Sequence, residues 1–345
     1  MAWGSFSPES QIRTRIWSWN PEEHISRDFF HARIKRSLNY RNQIELDSQM
    51  KRLVYAESDG LPGLIVDQYA DTIVVQFLSA GSEYWKTEIV EILVELTSAK
   101  TIYERSDAQV RQLEGLPQQT GTLFGSEPDR LLKIREHNLD FWIDIHQGHK
   151  SGFYLDQRDN RDLIGRMCRG KTVLDCFCYS GGFSVHALNN GADSTTLVDE
   201  SERALNLAEK NITLNNLETE RIELLRGDVF KVLRKFRDQA RKFDAIILDP
   251  PKFAPTASFA DKAARGYKDI NLLALKLLNP EGLLATFSCS GGISRDLFLR
   301  ILSGAARDAE VNARIQVNMG QSADHPVNLS FPEGDYLKGF VIRVA

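Results

Sequence analysis

Short apolar runs alternate with amphipathic stretches through the second half of the chain. Runs with the length of a buried strand lie at 172–175, 222–225, 243–248 and 282–288, and a further one ends at Asp199. Strict alternation of strands and helices is typical of a parallel sheet with helices on both faces. The runs at 314–319 and 336–344 follow the last helix, and we expect them to close the sheet as an antiparallel edge. We therefore predict an α/β fold, a Rossmann-like doubly wound sheet.

The first half of the chain has a different pattern, which predicts two smaller modules. Residues 1–22 contain two short strand-like runs, a number that is marginal for a stable sheet. A helical pattern, three strand-like runs, a second helix and one more strand then predict a small α+β domain. The predicted domains are thus 1–22, 23–135 and 136–345.

The composition is that of an ordinary globular protein, with 345 residues, 42% hydrophobic and 26% charged. The chain has no apolar run that could cross a bilayer and no signal-peptide pattern, so we expect a cytoplasmic protein without a membrane partner. Four cysteines without paired C-x-x-C spacing predict reduced thiols and no metal site. Because the net charge is −4, any RNA or DNA binding would depend on local basic stretches such as 150–171 and 231–242.

A glycine turn follows the first strand of the predicted sheet. Gly181 and Gly182 let the backbone approach a ligand closely, and Asp199, about 20 residues further on, suits the paired hydroxyls of a ribose. The G-x-G-x-x-G spacing of dinucleotide-binding proteins is absent. Asp175 would repel a pyrophosphate but could bind the amino group of a methionine-derived moiety. S-adenosylmethionine therefore fits this turn better than NAD. The alternative is that the glycines only allow a tight connection between strand and helix and bind no ligand.

Several chemically active side chains fall at or just past the carboxyl ends of the predicted strands: Asp175, Asp199, Asp228, Asp249 and Cys289. Ligands of doubly wound sheets bind at this edge. Two prolines fix the backbone directly after Asp249, so its carboxylate is held there. The arrangement predicts one site at this end of the sheet.

Cys289, in the sequence FSCSGG, points to a particular reaction. Carbon 5 of a pyrimidine is a poor nucleophile until a thiolate adds to carbon 6 and raises the electron density at carbon 5. For cytosine, protonation of ring nitrogen 3 assists the addition, and Asp249 could supply that proton. The pair therefore predicts methyl transfer to carbon 5 of cytosine. The alternative for a cysteine at a strand end is a small buried side chain, which is our prediction for Cys176 and Cys178.

The polar segment 147–161, QGHKSGFYLDQRDNR, lies directly before the predicted sheet. Its glycines, aromatic rings and charges favour a lid or cofactor contacts, because Phe153 and Tyr154 would otherwise be aromatic side chains exposed to solvent. The alternative is a polar linker followed by a capped helix. In the α+β domain the charged residues at the strand ends could line a groove, but we expect them to be solvated, as such residues usually are: Glu57, Asp59, Glu104, Arg105 and Asp107.

Motifs along nearly the whole chain together resemble one known family. They are LDCFCYSGGFS, LVDES, RGDVF, DPPKFA, RGYKDIN, SCSGG and ADHPV…YLKGF, preceded by ESDGLPGLIVD and GHKSGFYLDQRDNR. The chain resembles the RlmI-type 23S ribosomal RNA (cytosine-5)-methyltransferases. The resemblance implies a class I S-adenosylmethionine-dependent enzyme that makes 5-methylcytosine in large-subunit ribosomal RNA, with a PUA domain, a central domain and a catalytic domain. Residues 1–22 would then be the C-terminal remnant of the PUA domain, whose start is missing.

The resemblance also implies roles for single residues. Cys289 resembles the nucleophile, Asp249 a pocket carboxylate, Asp199 the ribose ligand and Asp228 the adenine-side ligand. We expect the remaining cofactor contacts from Asp175, Phe177, Ser180, Gly181, Gly182, Tyr154, Gln157 and Arg158, with Asp249 also near the cofactor. We expect RNA contacts from Lys150, Lys252, Arg265 and Lys268.

The partner that the resemblance implies is 23S ribosomal RNA or its large-subunit precursor, and a homodimer is left open. Two other functions are also left open by the residues. One is an S-adenosylmethionine-dependent RNA methyltransferase that acts on another base or on an exocyclic amine, which would need no cysteine. The other is a non-catalytic RNA-binding ribosome assembly factor, which would bind RNA without methyl transfer.

Overall fold

The computed structural model describes residues 1–253 and 260–345. The chain divides into two compact units. Unit 1 comprises Met1–Asp156 and Ser322–Gly334, and unit 2 comprises Gln157–Gln321 and Asp335–Ala345. The last residue of the DPPKFA motif, Ala254, lies outside the described residues. The division into domains 1–22, 23–135 and 136–345 stays a prediction.

Unit 1 contains a five-stranded sheet and two strand pairs. The strands are β1 (Trp3–Phe6), β2 (Thr14–Ser18), β3 (Met50–Tyr55), β4 (Leu64–Tyr69), β5 (Thr72–Phe77), β6 (Thr101–Ser106), β7 (Gln119–Phe124), β8 (Leu132–Glu136) and β9 (Leu139–Ile143). The helices are α1 (Arg27–Asn42), α2 (Ala80–Tyr84), α3 (Lys86–Leu96) and α4 (Val110–Leu113). The sheet order is β3-β4-β5-β6-β7, with β5 and β6 parallel, while β1 pairs with β2 and β8 with β9.

Helices α1 and α3 bury apolar side chains against the sheet of unit 1. Phe30 and Ile34 are one helical turn apart on α1, and Ile89 and Leu93 are one turn apart on α3. All four are fully buried in one cluster with residues of β3 to β6. The periodicity of these positions is what predicts both helices from the sequence.

Two sequence predictions for unit 1 are wrong because charged and aromatic side chains find partners inside the unit. Glu104 and Arg105 are buried, not solvated. Arg105 donates to the carbonyl oxygens of Ile145 and Gly148, which offsets the cost of burying its charge. Phe153 is also buried and packs on Phe141 with ring centroids 5.3 Å apart, so it belongs to the core of unit 1.

Unit 2 is built around a seven-stranded sheet with helices in the connections. The strands are β10 (Thr172–Cys176), β11 (Ser194–Asp199), β12 (Ile222–Arg226), β13 (Phe243–Leu248), β14 (Leu278–Ser288), β15 (Ala313–Met319) and β16 (Lys338–Val344). The helices are α5 (Arg158–Met167), α6 (Gly182–Asn189), α7 (Glu202–Leu214), α8 (Val229–Asp238), α9 (Ala260–Leu277) and α10 (Arg295–Ala309). The strand order is β12-β11-β10-β13-β14-β16-β15.

The first five strands of this order are parallel, and β16 is antiparallel to both β14 and β15. This confirms the predicted α/β fold with an antiparallel edge. The last strand of the chain is inserted between β14 and β15. Because the parallel strands run the same way, their carboxyl ends form one edge of the sheet, where ligands bind in such folds.

Successive residues of the central strands point to opposite faces of this sheet. Leu174 and Ile246 are buried with residues of α8, α9 and α10, whereas Val173 and Ile247 are buried with residues of α5 and α6. The strands are therefore apolar on both faces, which is why they read as continuous apolar runs in the sequence. Of the described residues, no helix is long and apolar enough to cross a membrane.

Candidate active site

The turn between β10 and α6 has an unusual backbone. Phe177, Tyr179 and Gly181 all have left-handed φ angles, of 61°, 49° and 75°. Non-glycine residues with such angles are uncommon and cluster at functional sites, because packing must hold them in place. The side-chain amide of Asn211 on α7 donates to the carbonyl oxygen of Ser180 at 3.0 Å and so links the turn to α7.

Gly181 is required by close packing as well as by its φ angle. A Cβ atom at this position would lie 2.8 Å from the Cβ of Ala208 on α7. The glycine therefore lets the turn approach α7, and α6 begins at the next residue, Gly182. Gly181 thus has a structural role, whether or not a ligand is bound.

Asp175 lies at the base of this turn and is almost fully buried. One carboxylate oxygen accepts a hydrogen bond from the Ser184 hydroxyl at 2.8 Å. Burial raises the pKa of Asp175 to about 7, and the neighbouring carboxylates of Asp249 and Asp199 add to the rise, while Ser184 opposes it. A cationic group beside this carboxyl would bring the pKa down again.

Two buried polar atoms at the turn test whether S-adenosylmethionine fits. Among the described residues, neither the second carboxylate oxygen of Asp175 nor the hydroxyl oxygen of Ser180 has a hydrogen-bond partner. Buried polar groups are nearly always paired in native proteins. An amino group supplied by a ligand would satisfy the carboxylate and neutralise its charge, so the residues present fit the methionine end of this cofactor.

The two carboxylates further along the edge are held by backbone groups. Asp199 accepts from the backbone N–H of Tyr179 at 3.0 Å and from that of Ser201 at 2.9 Å. Asp228 caps α8, and its side chain accepts from the backbone N–H of Lys231 at 3.2 Å. Both side chains are partly exposed, so they are fixed in direction and still open to a ligand.

Partly exposed aromatic rings extend the apolar core to this edge of the sheet. Phe253 lies 6.5 Å from Phe177 and 5.9 Å from Phe230, measured between ring centroids. It also lies 4.8 Å from the buried ring of Tyr267. Such rings provide apolar surface for a planar base next to the polar turn.

Cys289 and Asp249 directly follow the neighbouring strands β14 and β13. Both are partly exposed, and the Sγ atom of Cys289 lies 3.9 Å from the carbonyl oxygen of Pro250. The other three cysteines are buried, and burial raises the pKa of each of their thiols, that of Cys168 to about 12. Cys289 is therefore the thiol that a substrate can reach, and the prediction of buried, inert side chains at Cys176 and Cys178 is confirmed.

Three side chains around Cys289 were not predicted from the sequence. The Ser290 hydroxyl lies 2.9 Å from the hydroxyl of Tyr267 and accepts from the backbone N–H of Phe253 at 3.1 Å. Burial raises the pKa of Tyr267 to about 12. The ammonium group of Lys338 donates to the carbonyl oxygen of Ser290 at 2.9 Å. The sequence signal for this cluster was a lysine at the start of β16, a strand in which Arg343 is the other charged residue.

Four of the residues predicted to contact cofactor or RNA belong to neither the glycine turn nor the strand ends of unit 2. Tyr154 belongs to unit 1, as does Lys150, whose ammonium group forms an ion pair of 2.7 Å with Asp156. Gln157 and Arg158 are buried at the start of α5.

The remaining predicted RNA contacts differ in their exposure. Lys252 and Arg265 are exposed. Lys268 forms an ion pair of 2.6 Å with Asp308 and packs along α10. Among the described residues, no group of three or more His, Cys, Asp or Glu side chains is placed to hold a metal ion.

The strand order with an inserted antiparallel strand, the glycine turn and the acidic strand ends define a class I S-adenosylmethionine-dependent methyltransferase domain. A family model described as S-adenosylmethionine-dependent methyltransferase matches residues 69–323, and the chain belongs to this family. Its cofactor is S-adenosylmethionine.

Relatives and solved structures agree with this family. The protein named Ribosomal RNA large subunit methyltransferase I from Tolumonas auensis is 49% identical over 346 residues, which cover 99% of this chain and 87% of the relative. The protein of the same name from Shewanella amazonensis is 48% identical over 343 residues, with coverage of 99% and 87%.

Two solved structures show the same fold. A SAM-dependent methyltransferase from Streptococcus mutans has a TM-score of 0.85 at 23% identity, and a methyltransferase complexed with S-adenosylhomocysteine has a TM-score of 0.84 at 24% identity. Each comparison covers 99% of this chain and 87% of the other. The similarity therefore extends along nearly the whole chain.

Proposed function

We propose that this chain transfers a methyl group from S-adenosylmethionine to carbon 5 of a specific cytosine in 23S ribosomal RNA through a covalent cysteine adduct. The observation that carries the proposal is Cys289, a partly exposed thiol at the carboxyl end of β14. Ribosomal RNA as the substrate is supported by the names of relatives that are 48–49% identical over nearly the whole chain. Methyl transfer to an exocyclic amine would give this cysteine no role.

S-adenosylmethionine supplies an electrophilic methyl group when it is bound. We assign its amino group to Asp175, its ribose hydroxyls to Asp199 and its adenine to the neighbourhood of Asp228 and Phe177. These assignments rest on the buried oxygen of Asp175 and on the two partly exposed carboxylates that backbone groups hold in place. Ser180, Gly181 and Gly182 would shape the turn on which the cofactor lies.

Cys289 would act on the cytosine ring. Its thiolate adds to carbon 6, forming a C–S bond, and the electron pair of the 5,6 double bond becomes available at carbon 5. Once carbon 5 carries the methyl group, loss of its proton and elimination of the thiolate restore the double bond. A protonated Asp249 next to the thiol would donate to ring nitrogen 3 and so stabilise the charge that develops during addition.

RNA would be bound by local positive charge. Lys252 and Arg265 are exposed, and Lys231 and Lys235 are exposed on α8. Such residues would neutralise phosphates, and the target cytosine would leave its stack to reach Cys289.

The test is transfer of labelled methyl groups to unmodified 23S ribosomal RNA, followed by nucleoside analysis. We expect 5-methylcytosine from the wild type and from Cys168→Ala, a matched control at a buried cysteine. We expect none from Cys289→Ala or Cys289→Ser. Full activity of Cys289→Ala would exclude the adduct, and a product other than 5-methylcytosine would exclude the assigned base.

A trapping experiment tests the covalent step directly. In RNA that contains 5-fluorocytidine, carbon 5 carries no proton to lose, so the adduct persists after methyl transfer. We expect a denaturant-stable complex with the wild type and none with Cys289→Ser. Failure to trap RNA with an enzyme that methylates normal RNA would contradict the mechanism.

A further inference from the structure

Lys338 has an unusual position beside the proposed nucleophile. It is the first residue of β16 and is only 5% exposed. Its backbone pairs in register with Ser288, and its ammonium group donates to the carbonyl oxygen of Ser290 at 2.9 Å. The lysine therefore contacts the residues on both sides of Cys289, Ser288 through its backbone and Ser290 through its side chain.

A buried ammonium group is costly unless negative charge compensates it. Burial lowers the pKa of Lys338, and Arg295 and Lys252 lower it further, whereas Cys289 and Asp335 raise it. Within the described residues, Lys338 forms no ion pair with an aspartate or glutamate side chain. Its hydrogen bond with Ser290 is to a neutral carbonyl group, so Asp335 and Cys289 act on the ammonium group without a direct ion pair in the described part of the chain.

We propose that Lys338 is a positioning residue that stabilises Cys289 as a thiolate before RNA binds. The inference rests on the proposed function, because it concerns the reactivity of the same thiol. The thiol proton passes to solvent, Lys338 keeps its own proton, and the two side chains form a thiolate–ammonium pair. The thiolate is the nucleophilic form, so the enzyme would not need a separate base to remove this proton.

Other charged and titratable groups also act on this pair. Tyr267 from α9 has a pKa near 12 and stays neutral, so it contributes no charge. The carboxylate of Asp335 acts on Lys338 and favours its charged form, whereas Arg295 and Lys252 oppose that form. By their positive charge, Arg295 and Lys252 favour the thiolate, and Asp249 opposes it only while its own carboxyl group is ionised. Of the three cations, Lys338 is the buried one. Its charge should therefore have the strongest effect on the Cys289 thiol, because charges interact more strongly in the protein interior than in water.

The experiment measures how fast iodoacetamide alkylates Cys289 as a function of pH, by mass spectrometry of its peptide, without RNA or cofactor. In the wild type we expect the midpoint of the rate profile to lie below the ordinary cysteine value of about 8.5. In Lys338→Met we expect it to rise by about one unit or more, which slows alkylation near neutral pH by about tenfold. Lys338→Arg should restore most of the reactivity, and Lys262→Met, at an exposed lysine of α9, should leave the profile unchanged.

Two outcomes would overturn the proposal. A wild-type midpoint at or above about 8.5 would do so without any variant, which covers the case in which Lys338→Met does not fold. A Lys338→Met profile that is lower at every pH but has the same midpoint would indicate a purely structural role. Alkylation needs neither RNA nor methyl transfer. An active Cys289→Ala enzyme would therefore refute the proposed function without changing the effect of Lys338 on the alkylation profile of Cys289.

Discussion

Replacing Asp175 by asparagine removes a buried carboxyl group from the glycine turn and keeps its shape. The pKa of Asp175 rises from 3.8 to about 7 in the folded protein. A raised pKa means that folding is favoured while the group is protonated, and that this stability is lost as the pH rises through the folded-state value. Each unit corresponds to about 1.4 kcal/mol, so this group alone lowers the free energy of unfolding by about 4 kcal/mol across the interval.

The variant has no such titration, so the difference between the two proteins should depend on pH. Without cofactor, the free energy of unfolding of Asp175→Asn should increase relative to that of the wild type by about 3 kcal/mol when the pH is raised from about 4.5 to about 8. All five tryptophans lie in unit 1, so their fluorescence does not report on this strand. We would therefore follow urea unfolding by hydrogen exchange of peptides from β10. Parallel pH dependence of the two proteins would refute the raised pKa.

Two further variants test packing at sites of known geometry. Gly181→Ala should destabilise unit 2 by about 2–4 kcal/mol, because the new Cβ meets Ala208 and the φ angle is strained. Gly170 is also left-handed but has open space around it, so Gly170→Ala should lower the free energy of unfolding by less. Equal losses of stability in urea unfolding would contradict the packing argument. Asp67→Asn should destabilise unit 1 by about 3–5 kcal/mol, because it leaves the buried Arg52 without its carboxylate. Tryptophan fluorescence measures this change, and Arg52→Met combined with Asp67→Asn should recover part of the loss, whereas no recovery would show that the ion pair is not the cause.

The parallel part of unit 2 could be predicted because its strands are apolar on both faces and its helices have one apolar face. Strand β7, by contrast, lies in the stretch 115–128, which contains three glycines and two prolines. Its residues are exposed or half-buried, so the apolar periodicity that marks a strand is absent there. Hydrogen bonding to β6 forms it, and that pairing depends on the fold of the unit.

The candidate site could be predicted only in part. The carboxylates at the strand ends were found because the carboxyl edge of a parallel sheet follows from the order of the elements. Lys338 and Tyr267 were missed because each lies in a different element from Cys289. The return of 322–334 to unit 1 was missed for the same reason, although Asp324 is held there by the backbone N–H of Arg52 at 2.9 Å.

Buried charges distinguish the parts of this protein that serve stability from those that serve chemistry. In unit 1, Arg52 and Asp67 form two hydrogen bonds of 2.8 Å with each other, so each compensates the charge of its partner within the fold. At the edge of unit 2, one oxygen of Asp175 has no hydrogen-bond partner among the described residues, and Lys338 donates to a neutral carbonyl without forming an ion pair there. The buried carboxyl group of Asp175 lowers the stability of the protein until the amino group of the cofactor compensates it. For Lys338, the compensating charge in our proposal is the thiolate of Cys289, which forms before RNA binds. These two departures from the rules of charge burial coincide with the proposed chemistry, as expected where function is retained at a cost in stability.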